Sequence, residues 1–377
     1  MTVTFDATAF RRDLHKHPEL AGDVPRTAAK VADVLEQAGL RVTRGVGGHG
    51  VVASVGSGPA ETALLFRADM DALPIQEQNT FAHASEQSGR HHGCGHDGHT
   101  TMLIAAGLRL AANPPDRQVH LMFQPDEENG NGAAAMLNDR LLERFPAAQA
   151  FALHVMPGLA HGTIATAAGP FCAFEENFEI TLKGQGGHAS MPDRLADPLV
   201  AGAALVGALQ TIVSRHCDPR AHAVVSVTNF ETDGARNVVP STVHITGDFR
   251  GYSDAIATRI RDAMGKITKG IAAAHGVDST LSVSRSFSPL TNASVPVQNA
   301  CSAAQATNIP IQSSHPSCGF SEDFAAILER VPGAFLLIGQ GDEGAHGRPL
   351  HDPGFDFDDA LLPLGAAFWD ALARHTT

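Results

Sequence analysis

Residues 91–99 read His-His-Gly-Cys-Gly-His-Asp-Gly-His, and six of these nine side chains (His91, His92, Cys94, His96, Asp97 and His99) can ligate a metal ion. Glycines 93, 95 and 98 let the backbone turn sharply between them. A helix predicted over 100–112 follows directly, so the run sits at a helix N-terminus, a natural place for functional groups. The spacing matches neither a two-cysteine zinc finger nor His-Glu-x-x-His, so it indicates a metal without naming a reaction. A second cluster, Phe123-Gln124-Pro125-Asp126-Glu127-Glu128, closes a predicted strand. Adjacent carboxylates suit divided work, one holding metal while its neighbour exchanges protons with substrate. Single histidines in Leu153-His154-Val155 and Leu350-His351-Asp352-Pro353 complete the set. Each alone reads as structural. Strand ends of an α/β sheet converge on one edge, and that convergence joins the four signals into one site.

These groups need elements to hold them. Residues 6–40 read as an amphipathic helical start, with Val31, Val34, Leu35 and Ala38 at helical spacing and a break marked by His17-Pro18. Strands are expected over 51–55, 63–68, 119–123 and 148–155, and helices over 100–112 and 136–145. Buried strands alternating with helices suggest an α/β layered domain. Near residue 175 the pattern changes. Residues 178–183 alternate apolar and polar, as an antiparallel strand with one wet face does. A helix over 198–215, strands over 223–228 and 242–249, a helix over 253–275 and a strand over 279–284 follow, the inventory of a small α+β sandwich. After Pro289 the α/β pattern resumes with a helix over 296–307, a strand over 334–338 and a helix over 358–374. The expected fold class is therefore α/β: a layered domain with a mixed sheet (1–174 and 288–377), interrupted by a smaller α+β domain (175–287).

Composition sets limits on this picture. The chain has 377 residues, enough for two or three domains, with 43% hydrophobic and 18% charged residues, an ordinary globular balance. A formal net charge of −13 argues against nucleic acid or anionic membrane as partners, because both need a cationic surface. No apolar run is long enough to span a bilayer, and Met1–Arg12 has no apolar signal core. Five cysteines (94, 172, 217, 301 and 318), without paired spacing, fit a reducing compartment, so a cytoplasmic location is expected. Histidine is the unusual count, at 20.

In its ordered motifs the chain resembles the zinc- or manganese-dependent amidohydrolases and peptidases that include hippurate hydrolase, bacterial N-acyl-amino-acid amidohydrolases, N-acetyl-diaminopimelate deacetylase and plant auxin-conjugate hydrolases. The resemblance runs from Arg11-Arg12-Asp13-Leu14-His15-Lys16-His17-Pro18-Glu19-Leu20 through Arg67-Ala68-Asp69-Met70-Asp71-Ala72-Leu73-Pro74-Ile75, His92–His99 and Glu127-Glu128. It continues through His154, Gly186-Gly187-His188-Ala189-Ser190-Met191-Pro192 and Asn237-Val238-Val239-Pro240 to His351-Asp352-Pro353.

The resemblance implies a catalytic metal-binding α/β domain and an inserted domain that dimerises and acts as a lid. It implies two divalent metal ions per subunit, held by residues matching Cys94, His96, Glu128, His154 and His351, with Glu127 as general base. His188 matches a histidine that helps polarise the substrate carbonyl, often in the partner subunit's site. Asn237 and Arg250 fall in the usual substrate-contact stretches, although Gly247-Asp248-Phe249-Arg250 departs from the commoner Gly-Thr-x-Arg. Asp69, Asp97 and His99 are read as groups that orient the ligands, and Ser321-Glu322-Asp323-Phe324 as a supporting stretch. Five protein ligands cannot fill two separate metal shells, so Cys94 or a water must bridge. Thiolate and imidazole suit Zn; the carboxylate and open positions also admit Mn or Co. The expected reaction cleaves the amide of an N-acyl amino acid, hippurate-like or N-acetyl, in a homodimer. The alternatives are a carboxypeptidase or dipeptidase, with Arg250 holding a terminal carboxylate, and a non-catalytic metal- or ligand-binding module. Asp193 and Met156, where relatives often have His and Trp, leave the preferred acyl group and amino acid open.

Overall fold

The structure, a computed structural model, describes residues 5–376. Met1–Thr4 and Thr377, at the ends of the expected 1–174 and 288–377 domain, lie outside the described residues. The chain divides into two compact units. The first comprises the residues up to Phe171, Thr291–Ser317 and the chain from Asp323 onward. The second comprises Cys172–Leu290 and Cys318–Glu322, and the expected insertion 175–287 lies inside it.

The first unit is built on an eight-stranded sheet. Its strands are β1 (Arg41–Val46), β2 (Gly50–Val55), β3 (Leu64–Asp69), β4 (Val119–Gln124), β5 (Gln149–Pro157), β6 (Ile164–Ala165), β7 (Ile311–Gln312) and β8 (Gly333–Gly341). They lie in the order β1-β2-β4-β3-β5-β8-β6-β7. The central neighbours β4-β3-β5-β8 are parallel, which carries the C-terminal ends of β3, β4 and β5 to one edge. Strands β2, β3 and β4 are buried at every residue, so their continuous apolar runs are those of a sheet covered on both faces. The helices of this unit include α1 (Ala7–Lys16), α2 (Pro25–Gln37), α3 (His96–Ala112), α4 (Ser294–Ala306) and α5 (Leu361–His375). Asp6 caps α1 by accepting from the Ala9 N–H, and Pro25 opens α2 where no donor is needed. Phe66 and Phe151 face each other across β3 and β5, and the Trp369 ring of α5 lies 4.7 Å from Phe66.

The second unit has its own core. Its antiparallel four-stranded sheet takes the order 223–232, 242–251, 174–183, 278–287. Along 174–183 and 242–251 burial alternates, and helices Pro198–Leu209 and Asp254–His275 cover the buried face. Cys318–Glu322, which no periodicity assigned to this unit, is held by the Ala173 N–H donating to Phe320 carbonyl at 3.0 Å.

Several elements differ from expectation. The helical start over 6–40 is two helices, interrupted where His17-Pro18 marked a break. The helix expected over 136–145 is split into Gly132–Asn138 and Leu141–Arg144 by Arg140, whose φ is 60°. The helix expected over 198–215 ends at Leu209 and gives way to a π-turn at Ile212–His216. The helix expected from Thr100 begins at His96. Gly95 supplies the left-handed turn before it (φ 85°), and a Cβ there would lie 2.6 Å from Val155 Cγ1. Strand β1 is buried only at Val46, and β6 and β7 have two residues each, too short for any period to show.

Candidate metal centre

The early start of α3 changes how the histidine run is held. His96 occupies the first helical turn, with Asp97 and His99, and all three are buried. The His96 Nδ1–H donates to the Asp71 carbonyl at 2.8 Å, which turns Nε2 the other way. There Nε2 lies 3.8 Å from Glu128 Oε1 and 3.7 Å from Asp69 Oδ2. His154 on β5 is set in the same manner: Nδ1–H donates to the Val155 carbonyl at 2.7 Å, and Nε2 lies 3.4 Å from Cys94 Sγ. His351 stands in a left-handed turn (φ 66°), with Nε2 3.7 Å from Glu128 Oε2. Donor atoms of Cys94, His96 and His154 lie within 4.8 Å of one another, as do those of Cys94, Glu128 and His351, and those of His96, Glu127 and Glu128. Cys94 thus joins two triads.

A cation fits these residues. His96 Nε2 and Glu128 Oε1 are buried without a hydrogen-bond partner, a costly state that an ion between them relieves. Burial, with Glu128 close by, pushes the Cys94 thiol well above its ordinary pKa, and a cation is what makes it a thiolate. Burial pushes Glu128 up to about 7, with Asp71 and Asp69 adding to it and His96 opposing. Burial lowers His154 and His351, leaving both imidazoles neutral and able to ligate.

Other groups orient this set. His99 uses both ring nitrogens: Nδ1–H donates to Asp69 Oδ1 at 2.7 Å, and Nε2 accepts the Val155 N–H at 2.9 Å. Against the upward push of burial, His96, Arg67 and His99 hold Asp69 well below the usual carboxylate range. Asp97 faces away from the cluster and accepts from His15 at 2.8 Å. Asp71 Oδ2 accepts the N–H of both Glu127 and Glu128 at 3.0 Å, which fixes the turn that separates the two carboxylates. Arg67 donates to Asp69, to Gln124 Oε1 and to Asp323 Oδ1, tying β3, β4 and the supporting stretch together.

The chain matches the family described as peptidase family M20/M25/M40 over residues 65–375. It is 32% identical over 369 residues to the N-acetyl-L-cysteine deacetylase of Bacillus subtilis (strain 168), covering 97% of this chain and 87% of that protein. It is 33% identical over 366 residues to the hippurate hydrolase of Campylobacter jejuni, covering 96% and 94%. Among solved structures, the YXEP protein of Bacillus subtilis, a dinuclear metal-binding peptidase of family M20, superposes with a TM-score of 0.85 at 28% identity, covering 97% and 96%.

The chain belongs to peptidase family M20/M25/M40.

This M20-family protein is a metal-dependent hydrolytic enzyme acting on amides. Cys94, His96, Glu127, Glu128, His154 and His351 come together in its first unit, with Asp69 and His99 directly behind them. His188, Asn237 and Arg250 belong to its second unit. There His188 pairs with Val238 in a small two-stranded ladder, and the adjacent Asn237 carbonyl accepts the Ala189 N–H. His188 is exposed, and its Nδ1 accepts from Ser190 Oγ at 2.8 Å. Arg250 is already engaged: Nη2 lies 2.6 Å from Glu175 and 2.9 Å from Asp248. Asp71 and Arg67 were not singled out from sequence. The signal for Asp71 was its place two residues after Asp69 beyond a strand end. Arg67, an arginine inside an apolar strand, required a buried carboxylate that only the fold supplies.

Proposed function

We propose that this chain is a dinuclear amidohydrolase that converts an N-acyl amino acid and water into a carboxylate and a free amino acid, RCONHR′ + H2O → RCOO⁻ + R′NH3⁺. The observation that carries it is Glu127, buried beside a cluster of Cys94, His96, Glu128, His154 and His351 donors. Those five residues hold two divalent ions, Zn or Mn, with Co also admitted by the donor set. When bound, such ions lower the pKa of water and polarise a carbonyl. Glu127 takes a proton from the attacking water and returns it to the departing amine nitrogen. Asp71 keeps Glu127 and Glu128 from exchanging places by holding both of their backbone N–H groups. His188 supplies a hydrogen bond to the carbonyl oxygen as charge develops there, with Asn237 as a neighbouring substrate contact. The named relatives act on N-acetylcysteine and on hippurate, both N-acyl amino acids, which supports the substrate class. Arg250 is a weaker contact, because Glu175 and Asp248 compete for its guanidinium. That weighs against the carboxypeptidase and dipeptidase alternative, which needs a free bidentate clamp. Leu199 and Val200, exposed on the helix 198–209, support a homodimer formed through the second unit. A single-chain mass by light scattering would set the dimer aside.

The test is a screen of the Zn- and Mn-loaded full chain against N-acetyl, N-benzoyl and longer N-acyl amino acids and against dipeptides. N-acyl amino acids are expected to turn over at least tenfold faster than dipeptides. Glu127→Gln is expected to keep its bound metal and lose activity by about 10²–10⁴-fold. Full activity in that variant would show the base to be another group.

A further inference from the structure

His15, Glu77 and His91 lie outside the cluster described above, and nothing in the proposed reaction uses them. They come from three segments of the first unit: the end of α1, the loop after β3 and the start of the ligand-bearing run. One donor atom from each lies within 4.8 Å of the other two. Both histidines are fully buried. Neither ring nitrogen of His91 makes a hydrogen bond, although Nδ1 lies 3.5 Å from Glu77 Oε2. His15 is oriented as metal-binding histidines commonly are. Its Nδ1–H donates to Asp97 Oδ2 at 2.8 Å, which aims Nε2 at Glu77 Oε1, 3.3 Å away. Glu77 is itself fixed, accepting from the Ser85 N–H at 2.6 Å and from Asn79 Nδ2 at 2.9 Å. Of the neighbouring carboxylates, Asp97 is taken by His15 and Arg11, while Asp356 and Asp359 are bound by Arg11, so Glu77 is the carboxylate that faces both imidazoles. The buried triad therefore includes an imidazole, that of His91, whose two ring nitrogens make no hydrogen bond.

We propose that His15, Glu77 and His91 form a separate site for one divalent transition-metal ion such as Zn²⁺, which ties α1 to the loop carrying Cys94. Two imidazoles and one carboxylate are a donor set that suits Zn²⁺ and leaves one tetrahedral position for water. The ion would lie among the donor atoms of His15, Glu77 and His91, where the His91 ring nitrogens now make no hydrogen bond.

Metal-depleted full-length protein, dialysed against micromolar Zn²⁺ and counted by inductively coupled plasma mass spectrometry, tests this. His91→Phe, which keeps a ring but no nitrogen, is expected to fold with the wild-type circular dichroism spectrum and to bind one Zn²⁺ per chain fewer. Equal counts in variant and wild type overturn the proposal, whatever number of ions the Cys94 cluster holds. If His91→Phe does not fold, an anomalous difference map at the zinc edge on wild-type crystals decides the matter. A peak among His15, Glu77 and His91 supports the site, and its absence with zinc present at the Cys94 cluster overturns it.

Discussion

Glu127 and Glu128 are neighbours in sequence, yet the Asp71 carboxylate holding both of their N–H groups sends them to different surroundings. The same two-sided logic sorts the 20 histidines. His96 and His154 each spend Nδ1–H on a backbone carbonyl and present Nε2, whereas His99 spends both nitrogens and can only support. The clustering of ligand types was readable from sequence, but which ring nitrogen is engaged depends on backbone groups distant in the chain. His120 shows how a histidine without a site role still matters. It is buried on β4 with Nδ1 2.8 Å from Ser54 Oγ, and burial lowers its pKa to about 4. A depressed pKa means the neutral ring is favoured in the folded state. Its contribution is present above the ordinary value of 6.5 and is lost as pH falls toward 4. Urea unfolding of the chelated protein at pH 7.5 and pH 4.5, compared with His120→Asn, is expected to show the wild type losing up to about 3 kcal/mol more than the variant. Parallel losses in the two proteins would contradict that assignment.

Among the elements, α3 matters most to the site, because its first turn carries His96 and His99. The apolar period was visible from Thr100 onward. The true start was hidden, because Gly95 and the polar residues after it read as loop. Packing decides the point: a Cβ at Gly98 would lie 2.3 Å from the Phe357 ring, so glycine is what lets the first turn approach. Gly98→Ala is expected to cost about 1–3 kcal/mol in chemical unfolding, the usual penalty of overpacking. It should also lower metal content, because His96 moves with the turn. Unchanged stability and unchanged metal content together would show that Phe357 yields freely. The helix expected over 136–145 failed for the opposite reason, since composition favoured a helix and only Arg140 in a left-handed conformation divides it.

At the scale of the whole molecule, two of the buried clusters share no residue: one joins α1–α5 to the large sheet and the other lies between the four-stranded sheet and its two helices. The expected boundary near residue 175 rests on the change from continuous apolar runs to alternating strands in the sequence. Cys318–Glu322 was not readable, because five residues carry no period of their own. Every proposed metal ligand belongs to the first unit. Calorimetry of the metal-loaded protein is therefore expected to give two transitions, with chelation lowering only one. The shift should correspond to about 4 kcal/mol for each bound ion if ions are present at a thousand times their Kd. A single transition that moves as a whole would mean that the units do not unfold separately. Among the described residues no helix is long and apolar enough to cross a membrane.

The pairing of β5 with β8 also governs how the enzyme is made. Strand β5 carries His154, and its neighbour on that side, Gly333–Gly341, lies on the far side of the whole second unit in the chain. At roughly 5–20 residues per second, the ribosome leaves the β5 edge without its partner for on the order of ten to forty seconds. During that time most of the second unit has already emerged. An apolar strand edge left open for so long is a template for pairing with another nascent chain, so the interval favours shielding by a chaperone until β8 arrives.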